Sequence, residues 1–201
     1  PALQISPAKP QLPARSDKRE PREQAVLLFG FPGVTVQDPK VDALAILSST
    51  MSGLSSDLAT RVREEKGLAY YVGSFNQPGL APGAFVMYAG TREDTAEEVK
   101  DIFVKELERL ASSGPRPDEI ERAKNQIMAD YDMRCQDNAS LSFLCALDEL
   151  YGLGYSHALA VRERFTAISP EIIKEAAQTT LSTNRLAISL VLPETKEKDK
   201  P

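Results

Sequence analysis

The chain is 201 residues long, 42% hydrophobic and 26% charged, with a net charge of −5 and a pI near 5.1. That length suffices for one large domain or two small ones with a core that needs no covalent staples, and the acidic balance argues against a nucleic-acid binder. The two cysteines, Cys135 and Cys145, exclude a disulfide framework, and the single histidine, His157, excludes any histidine pair or multi-histidine metal site within one chain.

Residues 1–23 read as a Pro-rich interdomain linker. They carry Pro1, Pro7, Pro10, Pro13 and Pro21 and the mixed charge run Asp17-Lys18-Arg19-Glu20, with few large apolar groups. No charged stretch followed by an apolar one precedes the first expected strand, and the chain opens on Pro1 without methionine, so either processing removed the start or, the favoured reading, this is a piece of a longer polypeptide. Ordered structure is expected from Gln24. The apolar run Ala25 to Phe31 reads as a buried strand stopped at Pro32-Gly33.

Asp38-Pro39 then reads as the start of a helix carrying Val41, Leu44, Leu47 and Met51 on one face and ending at Gly53. Ser55 or Ser56 caps a shorter helix through Leu58, Val62 and Glu65, closed by Gly67. Leu68 to Phe75 and Ala84 to Gly90 are two strands joined by a long Pro/Gly loop, a hairpin. A helix with Val99, Ile102, Phe103, Leu107 and Leu110 on one face follows, broken at Gly114-Pro115. A long helix runs from Asp118 toward Tyr151, with an interruption foreseen near Gln136-Asp137-Asn138. Helices over His157 to Ala167 and from Ser169-Pro170-Glu171 follow, then a strand over Arg185 to Pro193. The reading is therefore a domain over 24–193 and a charged tail over 194–201. The fold class is α+β, a two-layer sandwich with a mainly antiparallel sheet covered on one face by helices. No apolar run reaches the ~18–20 residues that a membrane-spanning helix needs.

Most residue types that could carry chemistry have ordinary readings. Cys135 and Cys145 lie ten apart on what reads as one helix, about 15 Å along its axis and beyond disulfide reach; they read as two buried small hydrophobes. His157 has no evident partner and reads as a surface or packing residue. No phosphate loop and no dinucleotide fingerprint occurs, and the pairs Glu64-Glu65, Glu97-Glu98 and Glu119-Glu121 read as solvated helix faces.

The segment Arg61 to Tyr71 differs. A helix carrying Arg63 ends at Gly67 and feeds directly into a strand carrying Tyr70, so a guanidinium and a phenol lie near one corner of the sheet. Both are hydrogen-bond donors and neither is a base near neutral pH. Together they suit the stabilisation of developing negative charge on a carbonyl oxygen. A surface helix residue and half-buried sheet filler would be the plain alternative.

Leu54-Ser55-Ser56-Asp57-Leu58 leading into Arg63-Glu64-Glu65-Lys66-Gly67-Leu68-Ala69-Tyr70 resembles the second domain of bacterial zinc peptidases of the pitrilysin/insulinase type, the inverted zincins. The resemblance extends over Gln24 to Pro193. It includes a glycine near Gly152 or Gly154, the segment Phe165 to Glu171, an alanine-rich helix and a last strand ending in proline. It implies a clam-shell enzyme whose first domain carries H-x-x-E-H and zinc, with the second closing the substrate chamber. By position, Arg63 would hold a substrate backbone carbonyl and Tyr70 would donate to the oxyanion.

With one histidine this chain cannot contain H-x-x-E-H, so it is expected to be inactive alone and to hold no metal. Zinc is expected on a catalytic partner domain, either upstream in the same polypeptide or on a separate subunit. Expected partners are that domain and peptide substrates, and a homodimer of the isolated piece if the face made for the missing half is left bare. The alternative is a non-catalytic scaffold or peptide-binding subunit of the same fold. Location, periplasm or cytoplasm, is left open.

Overall fold

The computed structural model describes residues 10–53 and 56–194, and for Glu64 and Glu65 the backbone only. The first nine residues of the expected linker, Leu54, Ser55 and the tail from residue 195 lie outside the described residues. The elements are β1 (Ala14–Glu20), β2 (Ala25–Pro32), α1 (Val41–Thr50) and α2 (Asp57–Ala59), which runs on as a π-helical turn (Thr60–Glu65). Then come β3 (Ala69–Gln77), β4 (Ala84–Thr91), α3 (Ala96–Ser113), α4 (Pro117–Cys135), α5 (Asn138–Leu150), α6 (Tyr155–Leu159), α7 (Val161–Ala167), α8 (Pro170–Thr180) and β5 (Ala187–Pro193).

The fold is α+β. One five-stranded sheet has the order β1-β5-β2-β4-β3; β1 and β5 are parallel and every other pair is antiparallel. Period-two alternation sends Leu27, Phe29 and Phe31 of β2 and Phe85, Met87 and Ala89 of β4 to one face, where they are buried. Against them pack the apolar stripes of α1 (Ala43, Leu44, Ile46, Leu47), α3 (Val99, Phe103, Leu107, Leu110) and α8 (Ile173, Ala176, Ala177). Phe29 and Phe103 meet edge to face at 5.4 Å between centroids.

Among the described residues no helix layer covers the other face. Across it run the rows Val191–Val26–Gly90–Tyr71, Ser189–Leu28–Tyr88–Gly73 and Ala187–Gly30–Val86–Phe75. Each tyrosine lies over a glycine of the neighbouring strand. A Cβ on Gly90 would sit 2.3 Å from the Tyr71 ring, and one on Gly73 would sit 2.9 Å from the Tyr88 hydroxyl.

Several boundaries differ from the sequence reading. Ordered structure begins ahead of Gln24: Ala14–Glu20, read as linker, is the edge strand β1. Its side chains are almost all exposed, so it shows no apolar alternation. What holds it is the backbone ladder to β5, with Arg19 donating to the Pro193 carbonyl (2.6 Å) and pairing with Glu93. Helix α1 begins at Val41, not at Pro39; Asp38 instead accepts from the Lys40 N–H (2.8 Å) and closes the turn before it. Asp137 accepts from the N–H groups of Ala139 and Ser140, which ends the long helix and starts α5 at the foreseen interruption. Cys135 and Cys145 therefore sit on two helices and are half-buried, not buried. The helix expected over His157 to Ala167 is two short ones, broken at Ala160.

Candidate functional site

Arg63 and Tyr70 lie at two backbone irregularities that follow one another in the chain. Ser56 caps α2, its Oγ accepting from the Ala59 N–H (3.1 Å) and donating to the Gly53 carbonyl (3.0 Å). The helix then widens into the π-helical turn, a form concentrated at functional sites. Within it consecutive residues have three fates. Arg61 turns toward Glu106, Val62 is fully buried in the core, and Arg63 is exposed.

The turn is closed by the Gly67 N–H donating to the Arg63 carbonyl (3.1 Å) and the Leu68 N–H donating to the Val62 carbonyl (2.8 Å). Gly67 reverses the chain at φ 59°, a conformation that Cβ-bearing residues rarely adopt. The buried Thr91 hydroxyl at the end of β4 donates to the Leu68 carbonyl and so ties down the start of β3.

Tyr70 occupies a β-bulge. Ala69 pairs with Thr91 and Tyr71 with Gly90, so Tyr70 is the extra residue of β3. Counting back from Ser74 and Val72, strict alternation would turn Tyr70 toward the helices. The bulge gives that place to Ala69 and leaves Tyr70 58% exposed. Helix end and bulge thus present a guanidinium and a phenol to solvent within eight residues of chain. Guanidinium and phenol are both hydrogen-bond donors.

A buried ion cluster stands behind this segment. Glu106 and Glu119 are 2% and 1% exposed, and Arg109 bridges them. It binds Glu106 at 2.6 and 3.1 Å and Glu119 at 2.9 and 3.1 Å. Burial works to lower the Arg109 pKa, but the bonds and charges of the two carboxylates outweigh it and raise it. Glu119 also accepts from the Arg116 N–H at 2.6 Å, at the start of α4. From this cluster two arms reach the α2 segment: Arg116 binds Asp57 at 2.7 Å, and Arg61 stands 3.6 Å from Glu106. The reading of Glu119 as part of a solvated face is thereby corrected: a carboxylate at α4's first turn is buried because it finds Arg109 on α3.

A cleft of about 840 Å³ lies between α1, α4 and β3, lined among others by Ser49, Phe75, Asn76, Arg122, Asp130 and Arg134. Ser52 both accepts from the Ser74 N–H (3.0 Å) and donates to its carbonyl (2.8 Å), closing the edge of β3 there. The lining of the cleft holds a single carboxylate, Asp130, and no histidine or cysteine, which is not a zinc donor set. His157 lies in a separate cavity of about 390 Å³, where its Nδ1 meets Asp148 at 2.7 Å and its Nε2 faces Arg164, which in turn pairs with Asp42 at 2.9 Å. The expectation that His157 has no partner is therefore corrected. Among the described residues no group of three or more His, Cys, Asp or Glu side chains could hold a metal ion, and no helix is long and apolar enough to cross a membrane.

The family model described as the peptidase M16 inactive domain matches residues 2–127. A protein of Streptomyces coelicolor named as an uncharacterized zinc protease is 30% identical over 85% of this chain and 37% of its own length. One of Rickettsia bellii with the same name is 36% identical over 64% of this chain and 31% of its own. The chain thus spans about a third of these relatives. Among solved structures, the peptidase M16 inactive domain from Pseudomonas fluorescens superposes with a TM-score of 0.82 at 24% identity, over 98% of this chain and 47% of that one. A protease from Helicobacter pylori gives 0.85 at 18%, over 96% and 47%. At these identities the structural likeness is one of fold.

Proposed function

This chain belongs to the peptidase M16 inactive-domain family, and on that premise we propose that it is the accessory half of a zinc-dependent endopeptidase. It closes the substrate chamber and lends Arg63 and Tyr70 to the reaction. The observation that carries this reading is the pair of irregularities just described, a π-helical turn and a β-bulge that each release one side chain from its regular place. Irregularities of both kinds concentrate where side chains must be re-aimed.

Arg63 donates to a backbone carbonyl of the peptide and holds it in line. Tyr70 donates its O–H to the carbonyl oxygen under attack, an interaction that strengthens as that oxygen becomes anionic. Water activation belongs to a partner domain that carries H-x-x-E-H and zinc, a motif that a chain with one histidine cannot contain. That domain lies in the same polypeptide or on a separate subunit. The span of about a third of the relatives supports the former, with the segment ahead of β1 as the connection between halves. The helix-free face of the sheet, apolar along Val26, Leu28, Val86 and Tyr88, is where the partner domain is expected to rest.

The test uses the intact enzyme, its catalytic half included, and a quenched fluorescent peptide. Tyr70→Phe is expected to lower kcat by roughly a hundredfold or more. Arg63→Ala is expected to lower kcat/KM, with zinc content unchanged in both. Unchanged kinetics in both variants overturns the assigned roles. A stable complex with its H-x-x-E-H partner that cleaves no peptide leaves the scaffold reading instead.

A further inference from the structure

We infer that Asp57 and Arg61 are positioning residues for Arg63, through which the buried Glu106–Arg109–Glu119 cluster sets the conformation of the π-helical turn. The inference rests on the proposed role of Arg63 and adds what holds that side chain in place.

A π-helical turn is less regular than the α-helix it interrupts and persists where surrounding contacts over-determine it. This one is six residues long, follows three residues of α-helix, and ends at a glycine with φ 59°. So short a segment has little helical stability of its own. Among the described residues, side-chain contacts fix it from the side: Lys66 binds Glu98 at 2.5 Å where the turn ends, and three more hold its earlier part. Val62 is fully buried in the core. Asp57, the first residue of α2, is held by Arg116 at 2.7 Å, and Arg61, in the turn itself, stands 3.6 Å from Glu106.

Both ionic arms end on one body. Glu106 lies on α3 and Glu119 on α4, and Arg109, itself partly exposed, locks the two buried carboxylates through four hydrogen bonds. A carboxylate so buried cannot follow a mobile partner, so it serves as a fixed point. Arg61 and Arg63 are neighbours but one. With Val62 anchored between them, fixing Arg61 inward fixes Arg63 outward.

Asp57→Asn and Arg61→Met separately, and both together, in the intact enzyme test this. Each arm is partly exposed and worth at most a factor of about five alone. The double variant is therefore expected to speed hydrogen exchange of the Thr60–Gly67 amides roughly tenfold, with β2, β4 and α3 unchanged. kcat/KM should fall in parallel, by a factor of about five to ten, and Arg61→Lys should restore part of it. In an Arg63→Ala background the same double variant should cause no further fall, because its effect passes through Arg63.

Unaltered exchange in the turn overturns the inference. So does a fall in kcat/KM that persists in full without Arg63. If Arg63→Ala alone leaves turnover intact, the proposed role of Arg63 fails, while the exchange experiment still reports whether the arms hold the turn.

Discussion

Replacing Arg109 by methionine removes the one cation that bridges two carboxylates 2% and 1% exposed, and with it four hydrogen bonds of 2.6–3.1 Å. Breaking a buried ion pair from one side costs about 3–5 kcal/mol, mostly the desolvation of the charge left behind. Here the cost falls at the lower end. Glu106 keeps Arg61 at 3.6 Å and Glu119 keeps the Arg116 N–H at 2.6 Å. About 3 kcal/mol in a chain of this size corresponds to a fall in Tm of roughly 6–12 °C, read by calorimetry or circular dichroism. The triple variant Glu106→Gln, Arg109→Met, Glu119→Gln leaves no buried charge and should recover most of the loss, so the three effects are far from additive. A Tm for Arg109→Met within about 2 °C of the parent would refute the idea that this cation neutralises the two buried carboxylates.

Gly67→Ala places a Cβ where nothing lies within 4 Å, so its cost is the backbone alone at φ 59°; about 1 kcal/mol in urea denaturation is expected, and a neutral effect would show that the turn can relax. Gly90→Ala sets a Cβ 2.3 Å from the Tyr71 ring and must swing that ring off the strand; a tyrosine near-ultraviolet dichroism signal identical to the parent's would contradict the Tyr–Gly pairing. Asp42 has its carboxyl pushed above the ordinary range by burial, which outweighs the opposing pull of Arg164. The folded state therefore holds this proton more tightly than the unfolded chain, and the Asp42 contribution to stability grows as pH falls through the raised folded value toward the unfolded one. Asp42→Asn cannot gain in this way, so the Tm of the parent minus that of the variant should rise between pH about 7 and about 4; a flat difference would place the Asp42 charge in an environment no less polar than water.

The fold class was legible because its signals are local. Ala25 to Phe31 and Ala84 to Gly90 announce strands by composition, the stripe Val99-Phe103-Leu107-Leu110 announces a helix, and Asp137 marks a break that its capping bonds then make. The stretch from Leu54 to Tyr70 carries the resemblance on which the proposal for Arg63 and Tyr70 rests. What it could not reveal is the form of the backbone there. A π-helical turn and a bulge each shift a side chain by one residue without changing composition, and the periodic pattern reads through them.

The sequence by itself determined the order of elements, the mostly antiparallel sheet with helices between strands, and the absence of H-x-x-E-H, because propensity, period and residue identity are written along the chain. Tertiary structure alone decided three things. A charged stretch with no apolar alternation became β1, because the edge of β5 supplied a backbone ladder that no side-chain pattern records. His157 gained Asp148 and Arg164 as neighbours from elsewhere in the helical layer. Glu106 and Glu119, each unremarkable on its own helix, became buried, because Arg109 on α3 meets both and a buried charge is tolerated only where an opposite one meets it.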